Sequence, residues 1–174
     1  VGHMTHSYLL MAQNNAWANQ TLFQAMTSLS KEEFCAKQPG FFSSLCNTMN
    51  HTYEVDLYYI DALFMGGAGV AVFDRLIIED PKKLMQEQAK ADAKLIHFCQ
   101  VATSKTLVEQ RSFIRNVESM EETVTAILLH LFQHQIHHRG QAHVQLQTAG
   151  ITPPQLDEFH LEFGRASTAQ KSFK

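Results

Sequence analysis

The sequence has few cysteines, few prolines and little net charge, and it lacks any long apolar run. Its three cysteines, Cys35, Cys46 and Cys99, are odd in number and widely spaced, with no CxxC pair. That pattern argues against a disulfide framework and predicts a cytoplasmic, reducing environment. No segment reaches the roughly 18 uninterrupted apolar residues of a membrane span. The formal net charge is -3 and the pI about 6.4. No basic surplus marks a nucleic-acid footprint, so nucleic acid is not expected as a partner. Gly66-Gly67-Ala68-Gly69 lacks the Lys and Ser/Thr of a phosphate-binding loop and reads as an interhelical turn. No secretory leader is visible, and Val1 to His3 read as an expression remnant ahead of Met4. Residues 4–174 are expected to form one domain. With 174 residues, 45 % of them hydrophobic and 18 % charged, the chain can bury a single core without disulfides.

What is present is helical periodicity. The first predicted helix runs from about His6 to Leu29, with Leu9, Leu10, Trp17, Leu22, Phe23 and Met26 at helical spacing. Ser30-Lys31-Glu32-Glu33 fits a capping box, and Pro39-Gly40 breaks the turn it opens. Ser43 or Ser44 can cap a second helix that reaches Met65, where Gly66, Gly67 and Gly69 end it. Val70 to Ile78 reads as a short strand or an extended loop. Asp80-Pro81 starts a third helix that runs to about Thr103. Residues 106–118 lack helical periodicity, and Arg111 to Val117 can pair as a strand. Ser119 is expected to open the fourth helix, with Glu121 and Glu122 in its first turn, and Gly150 ends it. The tail from Gln155 to Phe163 is expected to cover one end. The expected fold is all-α, a four-helix bundle with long crossover connections and room for a short β-hairpin.

Ten histidines are many for this length, and five of them, His130, His134, His137, His138 and His143, fall on the fourth helix. At about 100° per residue, His134 and His138 share one face one turn apart, the spacing by which two imidazoles chelate a single ion. His130 and His134 form an equally good pair. Another helix must supply a third ligand, and either His51, on the expected core stripe of the second helix, or His97 can do so. His143 points away and reads as solvated. His6 and His160 read as surface residues.

The run His130-Leu131-Phe132-Gln133-His134-Gln135-Ile136-His137-His138-Arg139-Gly140-Gln141 resembles the signature of the DinB-like family of metal-binding four-helix bundles. Trp17-Ala18-Asn19, the segment from Phe41-Phe42 through Asn50-His51 to Asp56, and Gly150 to Asp157 resemble it in the same order. One departure is Gln133, where the family commonly has Asn. The resemblance implies a divalent metal ion held by His51, His134 and His138, with nickel or zinc expected ahead of iron or manganese. It further implies a metal-dependent thiol S-transferase or hydrolase acting on a small molecule, with a low-molecular-weight thiol as a possible co-substrate, and a homodimer. The alternative is a non-catalytic metal-binding stress-response protein, whose fourth position would be closed by a carboxylate or by Cys46. Of the neighbouring residues, Arg139 is expected to pair with a carboxylate such as Asp157. Gly140 is expected to allow close helix packing, and Asp56 to be a structural hydrogen-bonding residue. His137 is expected to face solvent, and His130 is left between a supporting role around the ion and a solvent-facing one.

Overall fold

The computed structural model describes residues 2–115 and 118–173; Val1, and Asn116 and Val117 of the expected extended stretch, lie outside them. Four long helices form the bundle: α1 (Gly2–Met26), α3 (Leu45–Phe64), α4 (Pro81–Val101) and α6 (Val124–Thr148). Two short helices, α2 (Lys31–Phe34) and α5 (Ser104–Val108), lie in the crossovers. Round the bundle the order is α1, α4, α3, α6. Leu22, Phe23, Leu45, Leu63, Leu84, Leu95 and Leu128 are fully enclosed between the helices. The burial of such apolar faces is the main favourable contribution to folding, about 25 cal/mol per Å².

Local chemistry sets most of the boundaries. Ser30 and Glu33 make the expected capping box at α2. Ser44 rather than Ser43 caps α3, accepting from the Asn47 amide. Asp80 accepts from the Lys82 and Lys83 amides ahead of Pro81. At the end of α3 the chain turns through Met65, with φ of 56°. A Cβ on Gly66 would run into the Asp61 carboxylate, which also accepts from the Gly69 amide at 3.0 Å. The glycines are therefore turn residues. Val70 to Ile78 holds no strand. Its first part is a 3-10 turn (Gly69–Phe73), and Asn50 then pins Ile78 by accepting from its amide (2.8 Å) and donating to its carbonyl (3.0 Å). The tail reaches α1, where Phe159 is fully buried against Trp17 and the indole N–H donates to Thr168 Oγ1 at 3.0 Å.

The start of the last helix differs from expectation. Residues 118–123 are not its first turn but strand β2 (Glu118–Thr123), paired antiparallel with β1 (Gln110–Arg115) in the register Arg111↔Glu122 and Phe113↔Met120. Thr123 then caps α6, accepting from the Ala126 amide at 3.2 Å. Phe113 holds the hairpin to the bundle by packing on Tyr58 and Tyr59, and the Tyr58 hydroxyl donates to the Ile114 carbonyl. Residues 104–108, expected in part to be non-helical, form α5 under a Thr103 cap.

A ring of buried polar side chains crosses the apolar core and draws on all four long helices. Arg139 Nη1 donates to Asn15 Oδ1 (2.5 Å), Asn19 Oδ1 (2.9 Å) and Gln135 Oε1 (3.1 Å). Both asparagines donate onward to Asp92. Gln88 joins Asp92 (3.1 Å) to Asp56 (2.8 Å), and Gln135 closes the ring by donating to Asp56. Arg139 is therefore engaged inside the bundle through Nη1 and makes no pair with Asp157. Asp56 is, as expected, a structural hydrogen-bonding residue. Burial raises the carboxyls: Asp92 up to about 6, and Asp56 well above the usual range, with the Asp92 charge adding to it. Burial also lowers Arg139 to about 10. At neutral pH an ionised Asp92 therefore faces the Arg139 cation across the two asparagines.

Two outcomes follow from these elements. Thr123→Ala should lower stability by about 1 kcal/mol in chemical denaturation, whereas Ser119→Ala, in the exposed strand, should stay within about 0.5 kcal/mol of wild type. Asp92 also imposes a pH dependence. Its folded-state pKa is raised above the unfolded value near 3.8, so the folded state binds more protons in between, and stability attributable to Asp92 falls as pH rises from about 4 to about 6. The stability of Asp92→Asn relative to wild type should therefore climb across that window, by on the order of 2–3 kcal/mol, and level off above it.

Candidate metal centre

Helices α3 and α6 run antiparallel. Thr48 donates to Gln145 (2.6 Å), His51 meets His134, and Tyr59 packs on His130, so residue numbers rise along one helix as they fall along the other. On α6 two pairs spaced by four residues run side by side. Gln135 and Arg139 point into the polar ring, and His134 and His138, offset by one residue or about 100°, point at α3. There His51 completes a cluster in which donor atoms of the three rings all lie within 4.8 Å of one another. The geometry thus distinguishes what spacing alone left open: His134 joins His138 rather than pairing with His130 alone, and the third ring is His51.

The other histidines are elsewhere. His97 is exposed on α4, stacked over Phe64 at 6.5 Å. His143, expected to be solvated, is half-buried and bonds the Pro154 carbonyl at 3.1 Å. His6 and His160 are exposed, as expected. His130 is exposed and flanks the cluster, its ring 6.0 Å from His134.

His51 and His138 each have a positioning partner outside the cluster. His51 is covered by Phe42, ring centres 4.6 Å apart, and Phe42 also reaches His138 at 5.5 Å. The Phe42 carbonyl is fixed by Gln145 Nε2 at 2.9 Å. His138 Nδ1 bonds Gln141 Oε1 at 2.8 Å, and Gln141 Nε2 lies 3.2 Å from His137 Nε2. In that arrangement His138 Nδ1–H donates to the amide oxygen, and the ring's Nε2 keeps a free lone pair for an ion. His137 supports the site through Gln141 while its own ring faces solvent. Neither Phe42 nor Gln141 stood out in the sequence as part of a site; a Gln three residues after a candidate ligand was the available signal.

His51 Nε2 and His134 Nε2 are 3.1 Å apart. Two imidazole nitrogens bound to one ion at about 2.1 Å each would lie about 3.0–3.4 Å apart, so the pair fits a shared ion. The electrostatics fit as well. Burial, reinforced by the neighbouring rings, pushes His51 down to about 4 and His134 down to about 3, and burial lowers His138 too. All three are neutral at physiological pH, the state that a metal ligand needs. His134 Nδ1 is buried with no partner among the described residues. Its ring is held by packing against its neighbours, at a desolvation cost of about 1–3 kcal/mol. Neither a carboxylate nor a thiol joins the three rings among the described residues. Cys46, considered above as a fourth ligand, turns its sulfur to the Ile78 carbonyl at 3.8 Å.

Comparison with known proteins agrees with this architecture. Protein DinB of Bacillus subtilis (strain 168) is 26% identical over 152 residues, which span 82% of this chain and 86% of that protein. The crystal structure of a DinB-like protein from Bacillus cereus ATCC 10987 superposes with a TM-score of 0.69 over 86% of this chain and 95% of that one, at 20% identity. The DinB family profile matches residues 4–170. From end to end of the bundle, then, the chain belongs to the DinB family.

Proposed function

We propose that this protein binds one divalent metal ion through His51, His134 and His138 and uses it as a metal-dependent enzyme on a small molecule, in a thiol S-transfer or a hydrolysis. The observation that carries the reading is the convergence of three neutral imidazoles with no fourth protein ligand among the described residues. Three protein ligands with an open position are the pattern of a catalytic site, whereas structural sites are closed. An all-imidazole donor set suits nickel or zinc ahead of iron or manganese. An ion held there would supply Lewis acidity and lower the pKa of a water or thiol bound to it. The chain's own contribution is to fix His51 and His138 through Phe42 and Gln141 and to hold His134 by packing. The non-catalytic stress-response reading, which needs a closed position, has less support. All three cysteines are free thiols, in keeping with a cytoplasmic protein. Leu129, Ile136 and Val144 leave an exposed apolar face on α6 suited to a homodimer.

Elemental analysis of the purified protein should find one nickel or zinc ion per chain. His134→Ala should weaken binding by at least about 100-fold, with His130→Ala retaining full stoichiometry; a His134→Ala protein that keeps its metal would overturn the ligand assignment. The metal-loaded protein should turn over substrates in a panel of thiol-transfer and ester or amide hydrolysis assays that the stripped protein does not; equal activity in both would favour the non-catalytic alternative.

The depressed histidine pKa values carry a further expectation. An ordinary imidazole site loses affinity roughly tenfold per pH unit per ring below about 6.5, because protons compete for the nitrogens. Here the rings take up protons only near pH 4 and below, for His51 and His134. Competition titrations should therefore show metal affinity falling less steeply between about pH 7 and about pH 5 than three ordinary imidazoles would give.

A further inference from the structure

A second cavity, of about 470 Å³, lies between α1, α6 and the tail. Its α6 residues Ile136, Gly140 and His143 are roughly 140–180° round the helix from the His134/His138 pair, so it opens on the side away from the candidate metal centre. Its size falls among small-molecule sites, about 300–1,000 Å³.

Two independent observations point to a ligand. The first is Gly140. A mid-helix glycine costs about 1 kcal/mol relative to alanine, and close helix packing, the expected reason for it, is absent: a Cβ there would meet no atom within 4 Å. Its backbone is not in the left-handed region either. The missing side chain leaves open floor in the cavity, the use of glycine where a ligand must approach the backbone. The second is Arg139, which lines the cavity although it is only 6% exposed. All of its hydrogen bonds leave from Nη1. Nε and Nη2 have no partner among the described residues and are not sealed off in the core. A nearly buried guanidinium that lines the cavity thus keeps its Nε–H and Nη2–H edge without a protein partner among the described residues, and that edge is the fork that takes a carboxylate through two parallel hydrogen bonds.

The surroundings narrow the ligand. Ala18, Ile136 and Leu156 offer apolar walls. Asp157 lies on the rim, its Oδ1 accepting from Gln155 Nε2 at 2.5 Å, and its charge opposes a dianion. We propose that this cavity is a second small-molecule site, separate from the histidine cluster, that binds a monocarboxylate with an apolar body, its carboxylate on the Nε–Nη2 edge of Arg139.

The test uses the full chain, both metal-loaded and stripped by chelator, titrated with benzoate, phenylacetate and hexanoate, and with benzamide and inorganic phosphate as comparisons. Binding is followed by calorimetry and by the NMR signals of the Arg139 Nε–H and the Gly140 amide. At least one carboxylate should shift both signals equally in the two preparations, and benzamide should bind at least about tenfold more weakly than benzoate, about 1.4 kcal/mol. Arg139 belongs to the polar ring, so its replacement endangers the fold. Gly140→Leu instead fills the cavity floor with a better helix former. It should remain as stable as wild type and retain metal, yet lose carboxylate binding by at least about tenfold. The proposal falls if no carboxylate binds, if benzamide matches benzoate, if phosphate is preferred, or if Gly140→Leu binds as wild type does. None of these results depends on whether the histidines hold metal.

Discussion

The polar ring through Arg139 constrains this bundle more than any other interaction. Apolar faces tolerate sliding and rotation, because one leucine replaces another at little cost. Buried polar groups do not, since each lost hydrogen bond inside the core exposes a full desolvation penalty. Asn15, Asn19, Asp56, Gln88, Asp92, Gln135 and Arg139 can satisfy one another only at one rotation and one height of the four helices. The histidine pair on α6 lies one residue off the ring's pair on the same helix, so fixing the ring also fixes the direction of His134 and His138. Asp56 does the same for His51 on α3. The cluster is thus positioned by groups outside it.

Much of this was legible in the sequence where the cause is local. The caps at Ser30, Ser44 and Asp80 are short-range hydrogen bonds, and their residue types announce them. The histidine spacing marked a candidate face on the last helix, and the family resemblance chose among pairs that spacing alone left equal; the structure brings the chosen three rings together. What was illegible depends on partners distant in sequence. Ser119, Glu121 and Glu122 suit a helix start as well as an exposed strand, and only pairing with Gln110–Arg115 decides between them. Arg139 was matched to Asp157 instead, because its asparagine acceptors lie some 120 residues earlier in the chain. Gly140 read as a packing residue because sequence does not show which neighbours are missing.

The two clusters on α6 respond to pH in opposite senses, for one physical reason. Burial disfavours charge, so it lowers the histidines, which stay neutral at physiological pH, and raises the ring carboxyls. Acidification costs the fold through the histidines and relieves it through Asp92. Their windows overlap between about pH 4 and pH 6, so the stability of the metal-free protein there is a difference of opposing contributions.

The Phe42 ring has a directional consequence. It covers His51 and His138 from one side, and its carbonyl is tied to Gln145, which also accepts from Thr48. That wall is anchored to both helices at the same end of the bundle and can move only if they do. The exposed rings of His130 and His137 stand along the remaining, solvent-facing flank. The cluster is thus closed on one side by an aromatic wall and bordered on the other by titratable rings, so its two sides differ in polarity as well as in cover.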